Sequence, residues 1–204
     1  MDKERKIQII KAAVKRFTKH GLHKTTLDEV ARDLRIGKAT IYNYFESKED
    51  LYYKTLQYEI SLYLEEIKLI LNNESKTPRQ IIIEYLELKE NFGTRYRLVF
   101  ELLLHILTGT HIEPEIQCLN QLLTEEASAL KELLSRTAGK EEYSSLPGFF
   151  AIQSWGLLFS SILKNTANPV EGNLIPGEKE PAIDKENLIK DLENFFADKA
   201  GDNK

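Results

Sequence analysis

The sequence predicts an all-α protein of about nine helices, and three observations support that class. Apolar residues recur at spacings of three and four along most of the chain, rather than every second residue. Glycine and proline are confined to a few short breaks, and capping residues stand at the edges of the periodic segments. The 204 residues are 42% hydrophobic and 29% charged, which is the composition of a globular protein of one or two domains.

The first part of the chain contains three short predicted helices and the start of a longer one. Gly21 ends the first helix as the residue after its C-cap, and Thr26 with Glu29 three residues later forms a capping box for the second. Gly37 is an acceptable N-cap for the third, and Ser47 opens the fourth. The predicted ranges are about 3–20, 27–34, 38–45 and 47–71.

Five further helices are predicted in the rest of the chain. Thr77 followed by Pro78 is a strong helix start, and Gly93 is expected to break the helix that follows. Residues 168–181 contain three prolines and two glycines, so they are expected to form a loop. The predicted ranges are about 78–92, 95–107, 114–137, 146–165 and 185–199.

The net charge of −4 conceals a division along the chain. Residues 1–50 contain 12 Lys and Arg against 8 Asp and Glu, whereas the remaining residues contain 16 against 24. The first segment therefore carries +4 and the rest −8. A basic N-terminal segment followed by an acidic remainder indicates two functions. Only the basic segment is suited to binding a polyanion such as DNA.

Cellular location and membrane association follow from a few features. Cys118 is the one cysteine, so the chain has no internal disulfide and no cysteine zinc cage. The N-terminus is charged and no apolar leader follows, so we expect a cytoplasmic protein. Residues 143–163 carry no charge and are long enough to span a bilayer, but a Pro-Gly pair and five serines interrupt them. We interpret this segment as a buried or subunit-interface helix rather than a membrane span.

Residues 26–45 carry the pattern that is most informative about function, a helix, a tight turn and a second short helix. Ile41 and Phe45 are four residues apart and are expected to face inward. The other faces then present a cation, a hydroxyl, an amide and two phenols, which suit contacts in the major groove of DNA. These side chains are Lys38, Thr40, Tyr42, Asn43 and Tyr44. The residue chemistry alone leaves open a helical hairpin with solvated polar residues.

A longer pattern covers residues 7–51, about a quarter of the chain, and its most diagnostic part is TIYNYFESKEDL at residues 40–51. This pattern resembles the N-terminal domain of the tetracycline-repressor (TetR) family of bacterial transcriptional regulators. The other matching residues are Ile10, Ala12, Ala13, Phe17, Gly21, Thr25, Thr26, Val30, Ala31 and Lys38.

The resemblance implies a helix-turn-helix DNA-binding domain at residues 1–47 and a helical effector-binding and dimerisation domain at residues 48–204. It implies that Thr26 and Lys48 contact phosphates and that side chains of the third predicted helix lie close to the bases. The residues implied at base edges or on the DNA backbone are Lys38, Ala39, Thr40, Tyr42, Asn43 and Tyr44.

The sequence departs from the family pattern in the turn. Arg35 stands where the family usually has Gly, and a left-handed backbone there would cost about 1 kcal/mol. Arg35 could instead add a phosphate contact. Gly37 and Ala39 replace the usual Ser and Gly, which affects the turn geometry and a contact from a capping hydroxyl.

The resemblance also implies dimerisation, and two apolar helices near the C-terminus are suited to it. Residues 146–163 carry large side chains on more than one face, and residues 188–196 form a second apolar stripe, so two such helices from each subunit would make a four-helix interface. Internal core packing is the alternative. The expected interface residues are Phe149, Ile152, Trp155, Phe159, Leu188, Leu192, Phe195 and Phe196.

A ligand pocket is expected among the helices of residues 78–138, where apolar side chains with a few polar tips cluster. Core packing is the alternative for each residue. The candidates are Tyr85, Phe92, Tyr96, Phe100, Leu104, His105, Leu119 and Leu123. Cys118 is interpreted as a small core residue, with redox sensing as the alternative.

Together these patterns predict a ligand-responsive regulator, most simply a repressor. It would bind operator DNA as a homodimer and be released by a small hydrophobic or amphipathic effector. The alternatives are an all-helical enzyme that uses the same pocket and a helical adaptor. No catalytic residue, metal site or cofactor is predicted, because the sequence has no glycine-rich phosphate loop, no nucleophile elbow and no metal-ligand spacing.

Overall fold

The computed structural model describes residues 2–107, 109–110, 113–138 and 154–156, and every regular element in these ranges is a helix. The all-α prediction is confirmed. Most of the predicted helix at 146–165, and all of that at 185–199, lie outside the described residues. The helices are α1 (Asp2–Lys24), α2 (Leu27–Asp33), α3 (Lys38–Tyr42), α4 (Lys48–Leu71), α5 (Pro78–Glu90), α6 (Phe92–Arg95), α7 (Arg97–Leu107) and α8 (Glu113–Ala138), and residues 154–156 are also helical.

The sequence predicts that the first helix ends at Gly21, but in the structure Gly21 only kinks the helix. Gly21 has φ 73° and ψ 173°, a backbone conformation that is open only to glycine. The hydroxyl of Thr25 donates to the carbonyl oxygen of Gly21 at 2.8 Å. A further turn to Lys24 therefore follows the interruption before the chain enters α2.

The capping residues predicted from the sequence are confirmed at three helices. Thr26 and Glu29 form a reciprocal capping box at α2, and Thr77 and Gln80 form another at α5, directly before Pro78. The Ser47 hydroxyl accepts a bond from the backbone amide of Asp50 at 3.0 Å at the start of α4. These short-range bonds satisfy amides that have no partner inside their own helix.

Two further predicted boundaries differ from the structure. The third helix was expected over 38–45 but ends at Tyr42, because the next residues form a turn in which Tyr44 N donates to Ile41 O at 3.0 Å. Gly93 was expected to break a helix, but it lies inside α6, and the break is at Asn91. A β-carbon on Gly93 would come within 3.2 Å of the Phe100 ring, so this glycine provides room for close packing.

The chain divides into two compact units, which we call unit 1 (Met1–Glu65 and Gly93–Leu122) and unit 2 (Glu66–Phe92 and Leu123–Lys204). This structural division differs from the functional boundary at residue 47, which stays a prediction. The core of unit 1 is built around fully buried side chains of α1, α3 and α4, including Phe17, Ile41 and Leu51. The core of the described part of unit 2 contains charged as well as apolar side chains.

Residues 143–163 are the uncharged segment that is long enough to span a bilayer, and the structure describes only 154–156 of them. Across the part of the chain that the structure describes, no helix is both long enough and apolar enough to span a bilayer.

Candidate nucleic-acid interface

The short helix α3 and the turn that follows it, residues 38–45, separate their side chains into a buried face and an open face. Ile41 and Phe45 are 0% and 2% exposed, which confirms the prediction that they face inward. The residues with candidate DNA-contacting roles lie on the other faces. Lys38, Ala39, Tyr42 and Asn43 are exposed, and Thr40 and Tyr44 are half-buried.

The turn between α2 and α3 is a Schellman motif with an arginine at its left-handed position. Arg35 has φ 53°, so its backbone is left-handed and the strain considered for this position applies. Ile36 N donates to Ala31 O at 3.0 Å, and Arg35 N donates to Arg32 O at 3.1 Å. The turn that sets the angle of α3 is therefore complete in hydrogen bonds, although the residue at its centre is strained by about 1 kcal/mol.

Lys38 and Thr26, two candidate phosphate- or base-contacting residues, are already hydrogen-bonded inside unit 1. The Lys38 ammonium lies 2.8 Å from Oδ2 of Asp28, and that bond raises the pKa of Lys38. The Thr26 hydroxyl donates to Glu29 Oε2 at 2.8 Å, and the bonds from Thr26 lower the pKa of Glu29. A DNA phosphate that bound Lys38 or Thr26 would therefore compete with the carboxylate of Asp28 or Glu29.

Lys48 lies at the start of α4 and is half-buried. Its ammonium donates to the carbonyl oxygen of Leu22 at 2.9 Å, so it ties α4 to the last turn of α1. This structural role is not visible in the sequence, because the two residues are 26 positions apart. The phosphate contact implied by the resemblance stays a prediction.

Arg16 holds α1 against α2 and was not identified from the sequence. Its guanidinium donates to both carboxylate oxygens of Asp33, at 2.6 and 2.5 Å, and lies 3.8 Å from Glu29. The bond from Arg16 lowers the pKa of Asp33. The partners are 17 residues apart and carry no periodic signal, so only the fold reveals the pairing.

The predicted ligand-contacting residues are distributed over both units. Unit 1 contains Tyr96, Phe100, Leu104, His105 and Leu119, and unit 2 contains Tyr85, Phe92 and Leu123. Tyr85, Phe92 and Tyr96 are buried, and the others are half-buried. Their common role in one pocket stays a prediction.

His105 belongs to a polar cluster inside unit 1. Its Nδ1 atom lies 3.0 Å from Glu115 Oε1, which also accepts a bond from the Tyr52 hydroxyl at 2.7 Å. Burial and the Glu115 carboxylate raise the pKa of Tyr52, so its phenol stays protonated. Burial also raises the pKa of Cys118 to about 11, so this thiol has little thiolate character and fits the core role better than redox sensing.

A cavity of about 230 Å³ lies within unit 1 between α1, α4 and α7. Of the predicted ligand-contacting residues, His105 lines it, together with Phe17 and Tyr52. The cavity is smaller than the usual pocket for a drug-sized ligand. Among the residues that the structure describes, no group of three or more potential metal ligands comes together.

The predicted dimer-interface residues lie outside the described residues except for Trp155. Trp155 is 4% exposed and packs edge-on against Phe92, with ring centres 4.9 Å apart. Its indole is therefore packed within its own unit. Any contribution of this segment to a dimer would come from its other side chains.

The sequence is similar to those of known transcriptional regulators. Residues 9–53 match the family model of bacterial regulatory proteins, tetR family. The chain is 29% identical over 156 residues to IcaR of Staphylococcus aureus, named a negative transcriptional regulator of the biofilm operon icaADBC, covering 74% of this chain and 82% of IcaR. It is 39% identical over 64 residues to the HTH-type transcriptional regulator HbdR of Aromatoleum sp. (strain CIB), covering 31% of this chain and 28% of HbdR.

Solved structures have a similar fold. The reduced form of NemR from E. coli superposes with a TM-score of 0.66 at 14% identity, covering 94% of this chain and 96% of NemR. Other solved regulators show the same fold, among them one from Mesorhizobium loti with a TM-score of 0.58 and 16% identity.

Proposed function

The chain is a transcriptional regulator of the TetR family, and from this premise we propose that it acts as a homodimeric DNA-binding repressor. A small hydrophobic or amphipathic effector would release it from its operator. The open face of α3 is the observation that carries the proposal. Two buried side chains anchor the helix, while its cation, amide, hydroxyl and phenol groups remain available to the major groove.

Electrostatics support the assignment of DNA contact to the N-terminal part. The first 50 residues carry a charge of +4, and the rest of the chain carries −8. Phosphate attraction would therefore be concentrated near α3, while the acidic remainder would be repelled by DNA. Since bacterial operators lie on the chromosome, the proposal also assigns the protein to the cytoplasm.

The proposed homodimer rests on the apolar stripes at residues 146–163 and 188–196. A two-fold dimer would present two copies of α3 about one turn of DNA apart, roughly 34–36 Å. Sedimentation at micromolar concentration tests this part of the proposal. A monomer at that concentration would contradict it.

The repressor role is supported by IcaR, which is named a negative regulator. In our proposal an effector bound beyond residue 48 would displace α4, which starts directly after the helix-turn-helix segment and continues to Leu71. The displacement would change the spacing of the two α3 helices. A coupling of about 1–3 kcal/mol between effector and DNA is typical of such two-site systems.

DNA affinity measured at several salt concentrations tests the central claim. A preferred site would be selected from random duplexes, and fluorescence anisotropy would compare that site with sheared DNA. We expect affinity for both to fall as salt rises, because Lys and Arg release counterions from the phosphates. We expect Asn43→Ala to weaken the selected site by about 1–3 kcal/mol and sheared DNA much less, because an amide reads base edges.

Asn120→Ala is the matched control, since Asn120 is an exposed helical asparagine on α8. This variant should bind both DNAs as the parent chain does. Equal losses for Asn43→Ala and Asn120→Ala, or binding that does not respond to salt, would overturn the assignment of α3 to DNA.

A further inference from the structure

A lysine ammonium is buried in unit 2 within a box of aromatic rings and one carboxylate, which we call the cation box. Its walls are the side chains of Tyr85, Glu126 and Trp155, and its occupant is Lys89. The Lys89 ammonium lies 2.5 Å from Glu126 Oε1, 3.2 Å from the centre of the Trp155 ring and 5.5 Å from that of Tyr85. Lys89 is 1% exposed and Glu126 is 0% exposed.

Glu126 is held in place by donors from two directions. Its Oε2 atom accepts a bond from the Trp155 indole at 2.9 Å, and its Oε1 atom accepts one from the Tyr85 hydroxyl. The Tyr85 hydroxyl also lies 2.8 Å from the Ser154 hydroxyl. The Glu126 carboxylate therefore has two donors other than Lys89, and these bonds connect it to both rings of the box.

Burying an ion pair is expensive in a fold, since each charge loses its hydration. A well-packed apolar side chain of the same length would often stabilise a core as well or better. The arrangement around Lys89 is instead the one that recognises organic ammonium ions, namely the face of a tryptophan, a second ring and a negative charge. Phe92, packed edge-on against Trp155, extends the apolar wall around it.

We propose that the cation box is a binding site for an organic cation, whose ammonium group takes the place of the Lys89 ammonium. The inference rests on the proposed function and deepens it, because it names the chemical class of the effector. Lys89 lies in the last turn of α5, so its four-carbon stem can leave the box without unwinding the middle of a helix.

The protonation chemistry of the site favours such an exchange. Burial lowers the pKa of Lys89 to about 8, although the Glu126 carboxylate opposes this shift. Among the residues that the structure describes, the titratable groups that face Lys89 are Glu126 from α8 and Tyr85 from α5, and burial raises the pKa of Tyr85 far enough to keep it neutral. The Lys89 ammonium is therefore less stable in the box than in water, so it can leave as the protonated side chain while a permanently charged cation takes its place beside Glu126.

Fluorescence of the full-length wild-type chain tests the proposal directly. Trp155 is the one tryptophan of the sequence, so its emission reports on the cation box alone. Tetramethylammonium, titrated at constant ionic strength without DNA, should change this emission in a saturable way. The neutral isostere tert-butanol should not. Between pH 7 and pH 9 the affinity should fall about tenfold, because Lys89 is largely neutral in the box at pH 9 and must take up a proton when it moves into water.

Lys89→Ala supplies the second arm, because it removes three carbons and the ammonium. This variant should bind tetramethylammonium about tenfold more tightly than the wild type at pH 7, since no resident ammonium has to leave. Its affinity should not change between pH 7 and pH 9. n-Propylammonium, which replaces the deleted atoms, should raise its Tm, whereas 1-propanol should not.

Several results would overturn the proposal. The proposal is wrong if tetramethylammonium changes the wild-type emission no more than sodium chloride does. This measurement does not depend on the folding of any variant. Equal responses to the charged and neutral probes would overturn the proposal as well. Adding Glu126→Gln to Lys89→Ala should abolish cation binding, and unchanged binding there would exclude the box as the site. The titrations contain no DNA, and DNA binding is measured without organic cations. Failure of cation binding can therefore be distinguished from failure of DNA binding.

Discussion

Glu59 on α4 places its carboxylate at the start of α7, where Oε2 accepts a hydrogen bond from the backbone amide of Val99 at 2.6 Å. The first amides of a helix have no partner within it and carry a partial positive charge, so this carboxylate completes the N-terminus of a helix far along the chain. Glu59 is 6% exposed. Burial raises its pKa to about 7, although the bonds from the backbone of Val99 and Leu98 lower it.

Glu59→Gln should flatten the pH dependence of stability. The pKa of Glu59 in the folded chain, about 7, exceeds its ordinary value of 4.5, so the folded state binds more protons between these limits. Its contribution is complete below pH 4.5 and is lost as the pH rises through 7, by up to about 3 kcal/mol. The variant should therefore lose less stability than the wild type between pH 5 and pH 7.5, as measured by urea unfolding.

Glu65→Gln is the control for this prediction, since Glu65 is exposed on the same helix. It should leave the pH profile of the wild type unchanged. If both variants show the wild-type loss between pH 5 and pH 7.5, burial of Glu59 has no linkage to folding and the prediction is wrong.

Arg35→Gly should stabilise the chain by about 0.5–1 kcal/mol. Arg35 occupies the left-handed position of the Schellman motif, where a β-carbon costs about 1 kcal/mol and glycine does not have this penalty. Arg32→Gly is a control of opposite sign, because Arg32 is an exposed residue with helical backbone in α2, where glycine should destabilise by about 1 kcal/mol. Denaturant midpoints compare the two, and destabilisation by both would refute the account of strain.

The helix pattern and the caps could be predicted because they depend on residues within four positions of each other. Thr26 with Glu29 and Thr77 with Gln80 are such pairs, and the burial of Ile41 follows from the same periodicity. The family resemblance then implied DNA-contacting roles for exposed side chains of α3, and these roles stay predictions.

The long-range polar contacts could not be predicted in the same way. Lys89 stands among charged residues in the sequence, where a solvated side chain is the ordinary interpretation, yet it pairs with Glu126 from another helix inside unit 2. Gly93 was similarly mistaken for a helix break, because nothing local indicates the ring of Phe100 beside it. Both errors concern contacts that only the packing of separate helices creates.

Gly93→Ala should destabilise the chain by about 1–3 kcal/mol. The added methyl would lie 3.2 Å from two carbons of the Phe100 ring, a distance shorter than most contacts of a β-carbon, so the ring must shift by a few tenths of an ångström. Thermal unfolding measures the loss. Phe100→Leu in the same chain should recover part of it, since a smaller side chain leaves space for the methyl. A double variant that loses the sum of the two single effects would show that the two positions do not interact.

Asp28→Asn should tighten binding to DNA of any sequence. The Asp28 carboxylate lies 2.8 Å from the Lys38 ammonium and holds it by an ion pair at the edge of α3. The amide keeps the shape of the side chain but removes a charge that repels phosphate and competes for Lys38. If Lys38 then neutralises one more phosphate, the plot of log affinity against log salt should steepen by about 0.9.

Glu74→Gln is the control for Asp28→Asn. It makes the same change in net charge at an exposed site between α4 and α5, so it should leave that slope unchanged. Anisotropy titrations on sheared DNA at four salt concentrations separate the two variants. Equal steepening in both would attribute the effect to net charge, and an unchanged slope for Asp28→Asn would mean that Lys38 does not reach the phosphates.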